Sequence, residues 1–546
     1  PMERDQKYGR GPLYPALAAP VLAAAPNQRD AYRWLKAYNA LLFSLTAIPA
    51  FLLARRFLEA KWSLAVAALS VAAPSAVYTG MILTESTAYL TGTLALLALV
   101  IVLERPSARH QLLALGAVVL ATLARPQLIA LAAAIPAGLG LRWLLLPARS
   151  RPQAGAALRK LWPTAAAVGV AVAIAAVALG TGHASLRDYR DVFRSYNAAD
   201  VVRWSWYTLA NLGLYLALIP MVAIPAAIGD LWRRGREGSV RDSALLGLFV
   251  SVSLVTVVLV AAFSSASFGG DRLHDRYLFY VVPLWLVVFA SWLDRRARAS
   301  WRSLAIGSAF GVVLVASLPP RLLVHDTNFQ FDAVASAIWS RLREIDPARP
   351  GVLRLLLVLG VFAALGAIIG LRRFTPVLLL PVAAVFVLNA ILVWQSRIHD
   401  ADLRVFADNR PETWSWVDHA LPSGGKVTDL FVQTGNCQRV NTGALRWTEF
   451  FNGRVGSVIR IGVPERITID GRSAIVGGDG TVRTLDGRPV VPGYAVAPPG
   501  LELRGREVAR GTLDALRLWR VDGTLRILNA KSNAQALTVV CPGGAA

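Results

Sequence analysis

Ser264-Ser-Ala-Ser-Phe-Gly-Gly-Asp-Arg-Leu-His-Asp-Arg-Tyr277 lies between apolar runs at 243–264 and 277–293. Runs of this length are read as membrane-spanning helices. Charge at the rim of such a span is expensive to desolvate and points to a role. His274, Asp275, Arg276 and Tyr277 put an imidazole, a carboxylate, a guanidinium and a phenol within four residues.

Working outward, the chain repeats this alternation of long apolar runs and short polar breaks. It has 546 residues, 55% hydrophobic and 17% charged, with a mean hydropathy of +0.48. Soluble domains carry about 25% charge, so the composition is that of an integral membrane protein. Runs near 37–54, 62–78, 86–103, 110–124, 127–146, 162–180, 206–229, 243–264, 277–293, 303–320, 352–371 and 374–394 predict about twelve spans. The segment 1–36 is polar and basic apart from Tyr14–Ala25. That apolar piece holds two prolines and is too short to cross a core of about 30 Å, so it is expected to lie at the interface.

The formal net charge is +23. Nucleic acid is excluded by distribution: the arginines cluster between apolar runs, as the positive-inside rule requires. Clusters such as Arg55, Arg56 and Lys61, or Arg233, Arg234 and Arg236, fall on alternate connections and are expected in the cytoplasm. The other connections, including 78–85, 180–204, 265–276 and 321–351, are then extracytoplasmic. This parity puts both 1–36 and everything after Trp394 outside.

From Gln395 the composition becomes that of a soluble domain. A helix is expected at Trp414–Ala420, and strands at Lys426–Gln433, Glu465–Asp470, Thr481–Leu485, Leu501–Val508 and Ala515–Val521. The fold class is therefore mainly α: a polytopic helical bundle over 37–394 with an extracytoplasmic β-rich domain over 395–546. Cys437 and Cys541 both fall in that domain, where a disulfide is plausible.

Three breaks carry the candidate chemistry. Glu85 ends Tyr78-Thr-Gly-Met-Ile-Leu-Thr-Glu85 and is the one charge in its loop, placed to bind a sugar hydroxyl or a metal. Arg125 and Gln127 interrupt an apolar stretch at Arg125-Pro-Gln127; the proline explains a turn, and the arginine suits bidentate phosphate recognition. Arg276 and Tyr277 suit a phosphate at the membrane surface, while His274 or Asp275 offers a general base. The loop Ser185–Asn197, with three arginines and two aspartates, reads as a solvated amphipathic helix. Phosphate-loop and zinc-protease signatures are missing.

In order, Tyr8-Gly-Arg-Gly-Pro-Leu-Tyr-Pro15, Arg33-Trp-Leu-Lys-Ala-Tyr-Asn-Ala40, Ala54-Arg-Arg56, Thr84-Glu85, Ala124-Arg-Pro-Gln127 and His274-Asp-Arg-Tyr277 resemble the GT-C superfamily of polytopic glycosyltransferases. The branch is that of protein O-mannosyltransferases and aminoarabinose transferases, and the resemblance covers about residues 8–320. It implies inverting transfer of a hexosyl or pentosyl group from a polyprenyl-phosphate donor, on the extracytoplasmic face, to a cell-envelope glycan, lipid or protein acceptor. It implies a catalytic acid in the first outer loop, after a first span. No apolar span precedes Glu3 and Asp5 here, so that acid either lies upstream of Pro1, the preferred reading, or has Asp5 as its remnant. Glu85 matches the second acidic position, and Arg125, Gln127 and His274–Tyr277 the donor site. No nucleotide site is needed, and a divalent cation is left open. The rival readings are a lipid or glycan transporter and a non-catalytic glycan-assembly subunit.

Overall fold

The computed structural model describes residues 11–145, 156, 159–180, 197–265, 272–295, 300–323, 332–339, 341, 350–371, 374–399, 402, 411–422, 425–432, 448–461, 472–511, 516–529, 531–533 and 536–538. The chain divides into two compact units. One holds Arg10–Ala24 and Tyr32–Ile398, the other Pro1–Gly9, Ala25–Ala31 and His399–Ala546.

The larger unit is helical. Its elements are α1 (Leu13–Ala24), α2 (Gln28–Leu45), α3 (Ala47–Arg55), α4 (Ala60–Val71), α5 (Glu85–Glu104), α6 (Ala108–Ala124), α7 (Ala134–Leu145), α8 (Trp162–Gly180), α9 (Ala198–Tyr215), α10 (Ile219–Arg236), α11 (Val240–Ser265), α12 (Val282–Asp294), α13 (Trp301–Ser317), α14 (Pro350–Gly370) and α15 (Leu379–Val393). Helices are what apolar sequence must form where water cannot satisfy backbone groups. Among the described residues six helices are long and apolar enough to cross a membrane, or up to eight if each of two bent pairs is one span, and four apolar helices are shorter.

Two of the expected spans are corrected. The run at 206–229 is not one helix: α9 and α10 meet at 107°. The corner is Ala217 and Leu218, both left-handed at φ 60° and 63°. Pro220 follows at the start of α10, where a missing N–H costs nothing. The run at 62–78 is α4 followed by a 3₁₀ turn, Pro74–Gly80, bent by 51°.

Helices approach closely where side chains vanish. A Cβ on Gly307 of α13 would sit 2.1 Å from the Val222 carbonyl oxygen of α10. On Gly11, ahead of α1, it would sit 2.2 Å from the Leu123 carbonyl oxygen at the end of α6. Small residues at such crossings are how membrane helices gain packing without a hydrophobic drive between them. Ion pairs tie other ends: Arg56 to Glu104, and Arg295 Nη1 to Asp242 Oδ1 at 2.6 Å.

The second unit carries a seven-stranded mixed sheet of order β4-β3-β2-β1-β5-β7-β6. Its strands are β1 (Val427–Val432), β2 (Val455–Ile461), β3 (Arg472–Val476), β4 (Val482–Thr484), β5 (Tyr494–Ala497), β6 (Gly505–Arg510) and β7 (Arg517–Val521), with a separate hairpin of β8 (Lys531–Asn533) and β9 (Ala536–Thr538). β3, β2, β1 and β5 run parallel. The helix expected at Trp414–Ala420 is two short pieces, Pro411–Trp414 and Trp416–Ala420. The strand expected at Leu501–Val508 instead starts at Gly505, whose φ of +154° and approach to the Arg520 carbonyl oxygen only glycine allows. The expected strand Glu465–Asp470, Cys437, Cys541 and nearly all of the Ser185–Asn197 loop lie outside the described residues.

Candidate functional site

The site begins at the N-terminus of α5. Glu85 is its first residue and is fully buried. Its Oε1 accepts from Arg125 Nη1 at 2.6 Å and from Arg276 Nε at 2.9 Å, with Arg276 Nη2 in ion-pair contact at 2.7 Å. Its Oε2 has no hydrogen-bond partner. Residues 40 and 191 positions away in sequence thus converge on one carboxylate.

Local sequence explains why each arginine arrives there. Pro126 forces the residue before it out of the helical region, and Arg125 is extended at φ −153°, ψ 114°. That ends α6 at Ala124 and leaves the arginine at a corner before a 3₁₀ stretch, Pro126–Ala133. Arg125 Nη1 also donates to the Tyr280 hydroxyl at 2.9 Å, and its guanidinium lies 4.5 Å from the Tyr277 ring centroid, a cation–π contact. Tyr277 is in turn packed edge-on against Phe263 of α11.

His274–Tyr277 folds into a 3₁₀ turn over Asp275–Tyr277. The Arg276 N–H donates to the Asp332 carbonyl oxygen at 3.1 Å. Arg276 Nη1 reaches Asp332 Oδ1 at 3.2 Å, Arg272 Nη2 reaches Asp332 Oδ2 at 3.2 Å, and His274 Nδ1 is 3.9 Å from Asp332 Oδ1. Asp275 is fully buried and turned the other way: its Oδ1 accepts from the Val334 N–H at 3.0 Å and its Oδ2 from the Ala335 N–H at 2.7 Å.

These loop carboxylates titrate oppositely. Burial pushes the Asp275 carboxyl up, opposed by the Ala335 and Val334 N–H groups and aided by the Asp332 charge, to about 8. Burial also works against Asp332. There the hydrogen bond from His274 and the charges of His274, Arg276 and Arg272 prevail and hold it well below the usual carboxylate range. Three guanidinium groups, Arg125, Arg272 and Arg276, thus pair with two carboxylates, Glu85 and Asp332.

The structure brings together Glu85, Arg125, Arg276 and Tyr277, with His274 and Asp275 in the same loop. Gln127 is not among them; it is exposed. Asp5 lies outside the described residues. Asp332 and Tyr280 were not singled out from the sequence. Asp332 sits in the long polar connection 321–351, where a carboxylate is unremarkable, and Tyr280 opens an apolar run as an ordinary interfacial aromatic. Tyr14 of the first motif is buried, close enough to Asn39 and Glu85 to feel both. Among the described residues no group of three or more His, Cys, Asp or Glu side chains could hold a metal ion. Glu85, ringed by two guanidinium groups, sits in surroundings suited to an anion rather than a divalent cation.

No family model and no curated protein matches the sequence. Among solved structures, ArnT from Cupriavidus metallidurans in the apo state matches over 90% of this chain and 83% of its own, at 18% identity and a TM-score of 0.42. A likeness that distant assigns neither activity nor substrate.

Proposed function

We propose that this protein is a membrane glycosyltransferase of the GT-C kind, moving a sugar from a polyprenyl-phosphate donor to a cell-envelope acceptor. The observation that carries the reading is the convergence of two guanidinium groups, Arg125 and Arg276, on the single carboxylate of Glu85. Buried arginines are costly unless matched. A centre that keeps a guanidinium surplus is built to be completed by an anion, and a lipid phosphate supplies one without leaving the membrane.

The arrangement divides the work as follows. The isoprenoid tail stays in lipid, and the phosphate docks on Arg276 and Arg125. Glu85 serves the arginines rather than the acceptor: its Oε1 is taken by three nitrogen contacts. Asp275 is equally committed, to the Val334 and Ala335 amides. The general base for the acceptor hydroxyl is therefore assigned to neither; of the acidic candidates the sequence offers, Asp5 remains. The extracytoplasmic orientation of this loop and of the C-terminal β-rich domain over 395–546 belongs to the same proposal, the domain receiving the glycan or protein acceptor.

The test is a transfer assay on the purified full chain in nanodiscs with a panel of polyprenyl-phosphate sugars. Arg276→Ala is expected to lower donor kcat/KM at least about 100-fold, the loss of about 3 kcal/mol of charge-assisted contact. Transfer at the wild-type rate in that variant would remove the phosphate assignment. No transfer with any donor, but uptake of a labelled lipid across the bilayer, would favour a transporter.

A further inference from the structure

The proposed reading uses Arg276 but leaves unexplained why two further carboxylates, Asp332 and Asp275, are built around it. Residues 332–339 form a short strap pinned at both ends. At one end Asp275 accepts the Val334 and Ala335 amides, and the Arg276 amide donates to the Asp332 carbonyl oxygen. At the other the Ile338 amide donates to Asn389 Oδ1 at 3.2 Å, on the buried face of α15. Ala333, Val334 and Ala335 are fully buried between. The strap's single carboxylate, Asp332, then meets Arg276 Nη1.

The consequence is a fixed guanidinium. Glu85 takes Nε and Nη2 from the side, and Asp332 takes one N–H of Nη1. A guanidinium has five N–H groups. One on each terminal nitrogen remains outside these contacts, and N–H groups on both terminal nitrogens make a fork suited to two oxygens of a phosphate. The Arg276 side chain is 22% exposed, against 7% for Arg125 and 0% for Glu85, so of the two arginines on Glu85 it is the more accessible.

We propose that Asp332 is a positioning residue: held in place by Asp275 through the strap backbone, it turns the Arg276 fork toward an anionic phosphate ligand. The proposal rests on the phosphate reading above. It makes a counter-intuitive demand. Removing Asp332 adds one positive charge to the site, which by Coulomb's law alone strengthens anion binding. If orientation is the function, binding weakens instead.

The experiment measures decaprenyl phosphate binding to the full chain in phosphatidylcholine nanodiscs, for wild type, Arg276→Ala, Asp332→Asn, Asp332→Ser and Asp332→Glu. Thermal midpoints are recorded alongside. Asp332→Asn and Asp332→Ser are expected to weaken binding about tenfold, and Asp332→Glu to restore it to within about threefold. In the transfer assay the loss is expected in donor KM, with kcat held within about threefold. Tighter or unchanged binding in Asp332→Asn and Asp332→Ser, with binding still lost in Arg276→Ala, would overturn the positioning role and leave the phosphate site intact. No binding by wild type, or undiminished binding by Arg276→Ala, would overturn the site itself and this role with it. If both neutral variants fail to fold, Asp332 is a structural prop and the positioning role falls.

Discussion

Glu85→Gln is the substitution that separates an electrostatic hub from a reacting carboxylate. The change keeps a carbonyl oxygen for the three nitrogen contacts now made to Oε1, at 2.6 Å, 2.7 Å and 2.9 Å. It removes the charge and leaves two largely buried guanidinium groups with less to balance them. Removing one partner of a buried pair costs about 3–5 kcal/mol. The lower end applies here, because Arg276 keeps Asp332 and Arg125 keeps the Tyr280 hydroxyl. Arg125→Gln alone strands Glu85 less severely, since Arg276 remains. If the two residues act on each other, the double variant Glu85→Gln/Arg125→Gln restores part of the loss, with a coupling of about 1–3 kcal/mol. The assay is reversible unfolding of the purified chain in mixed micelles of rising dodecyl sulfate content, followed by tryptophan emission. Additivity within about 0.5 kcal/mol, or a Glu85→Gln variant as stable as wild type but catalytically dead, would refute the hub and make Glu85 the reactive acid.

Three further expectations use the same assays. Asp275, raised to about 8 from an ordinary 3.8, binds its proton more tightly folded than unfolded; its stabilising effect is fully present below about pH 4 and lost as pH rises through 8. Thermal midpoints should thus fall between pH 5 and 9 in wild type and more shallowly in Asp275→Asn; equal slopes would show that Asp275 does not titrate there. Gly307→Ala, whose Cβ meets the Val222 carbonyl oxygen, should cost about 1–3 kcal/mol. Gly366→Ala on α14, with nothing within 4 Å of its Cβ, should be tolerated, and equal effects would mean the α10–α13 crossing is looser than described. Ala217→Gly removes a left-handed non-glycine residue whose conformation costs about 1–2 kcal/mol, so stability should be kept or rise; a fall of more than about 1 kcal/mol would show the bend is held some other way.

What the sequence made legible follows a physical rule. Charges set in apolar surroundings stand out because their burial is costly, and Glu85, Arg125 and Arg276 were readable for that reason. Asp332 does equivalent work from inside a polar connection, where composition hides it. Gln127 reads together with Arg125 because they are neighbours across Pro126, yet Arg125 is buried and Gln127 exposed. The corner at Ala217–Leu218 was masked by an unbroken apolar run, although Pro220 marked a helix start. In the second unit, β2 escaped notice because Gly456 and Ser457 look like loop, while parallel pairing with β1 sets its register.

The same rule bears on where the chemistry belongs. A general base must be free to accept a proton at the working pH. Glu85 spends Oε1 on two arginines, and its Oε2 is buried with no partner. Asp332 is held acidic by His274 and the arginines, and Asp275 has both oxygens on backbone amides. Each carboxylate near the arginines among the described residues is therefore engaged in holding a charge or a chain segment. On the proposed function, the cluster is the half of an active centre that grips the leaving group. Asp5, the acidic candidate that lies outside the described residues, is then the one to replace. Asp5→Asn should abolish transfer while leaving decaprenyl phosphate binding within about twofold of wild type, and retained transfer would return the search for the base to Glu85.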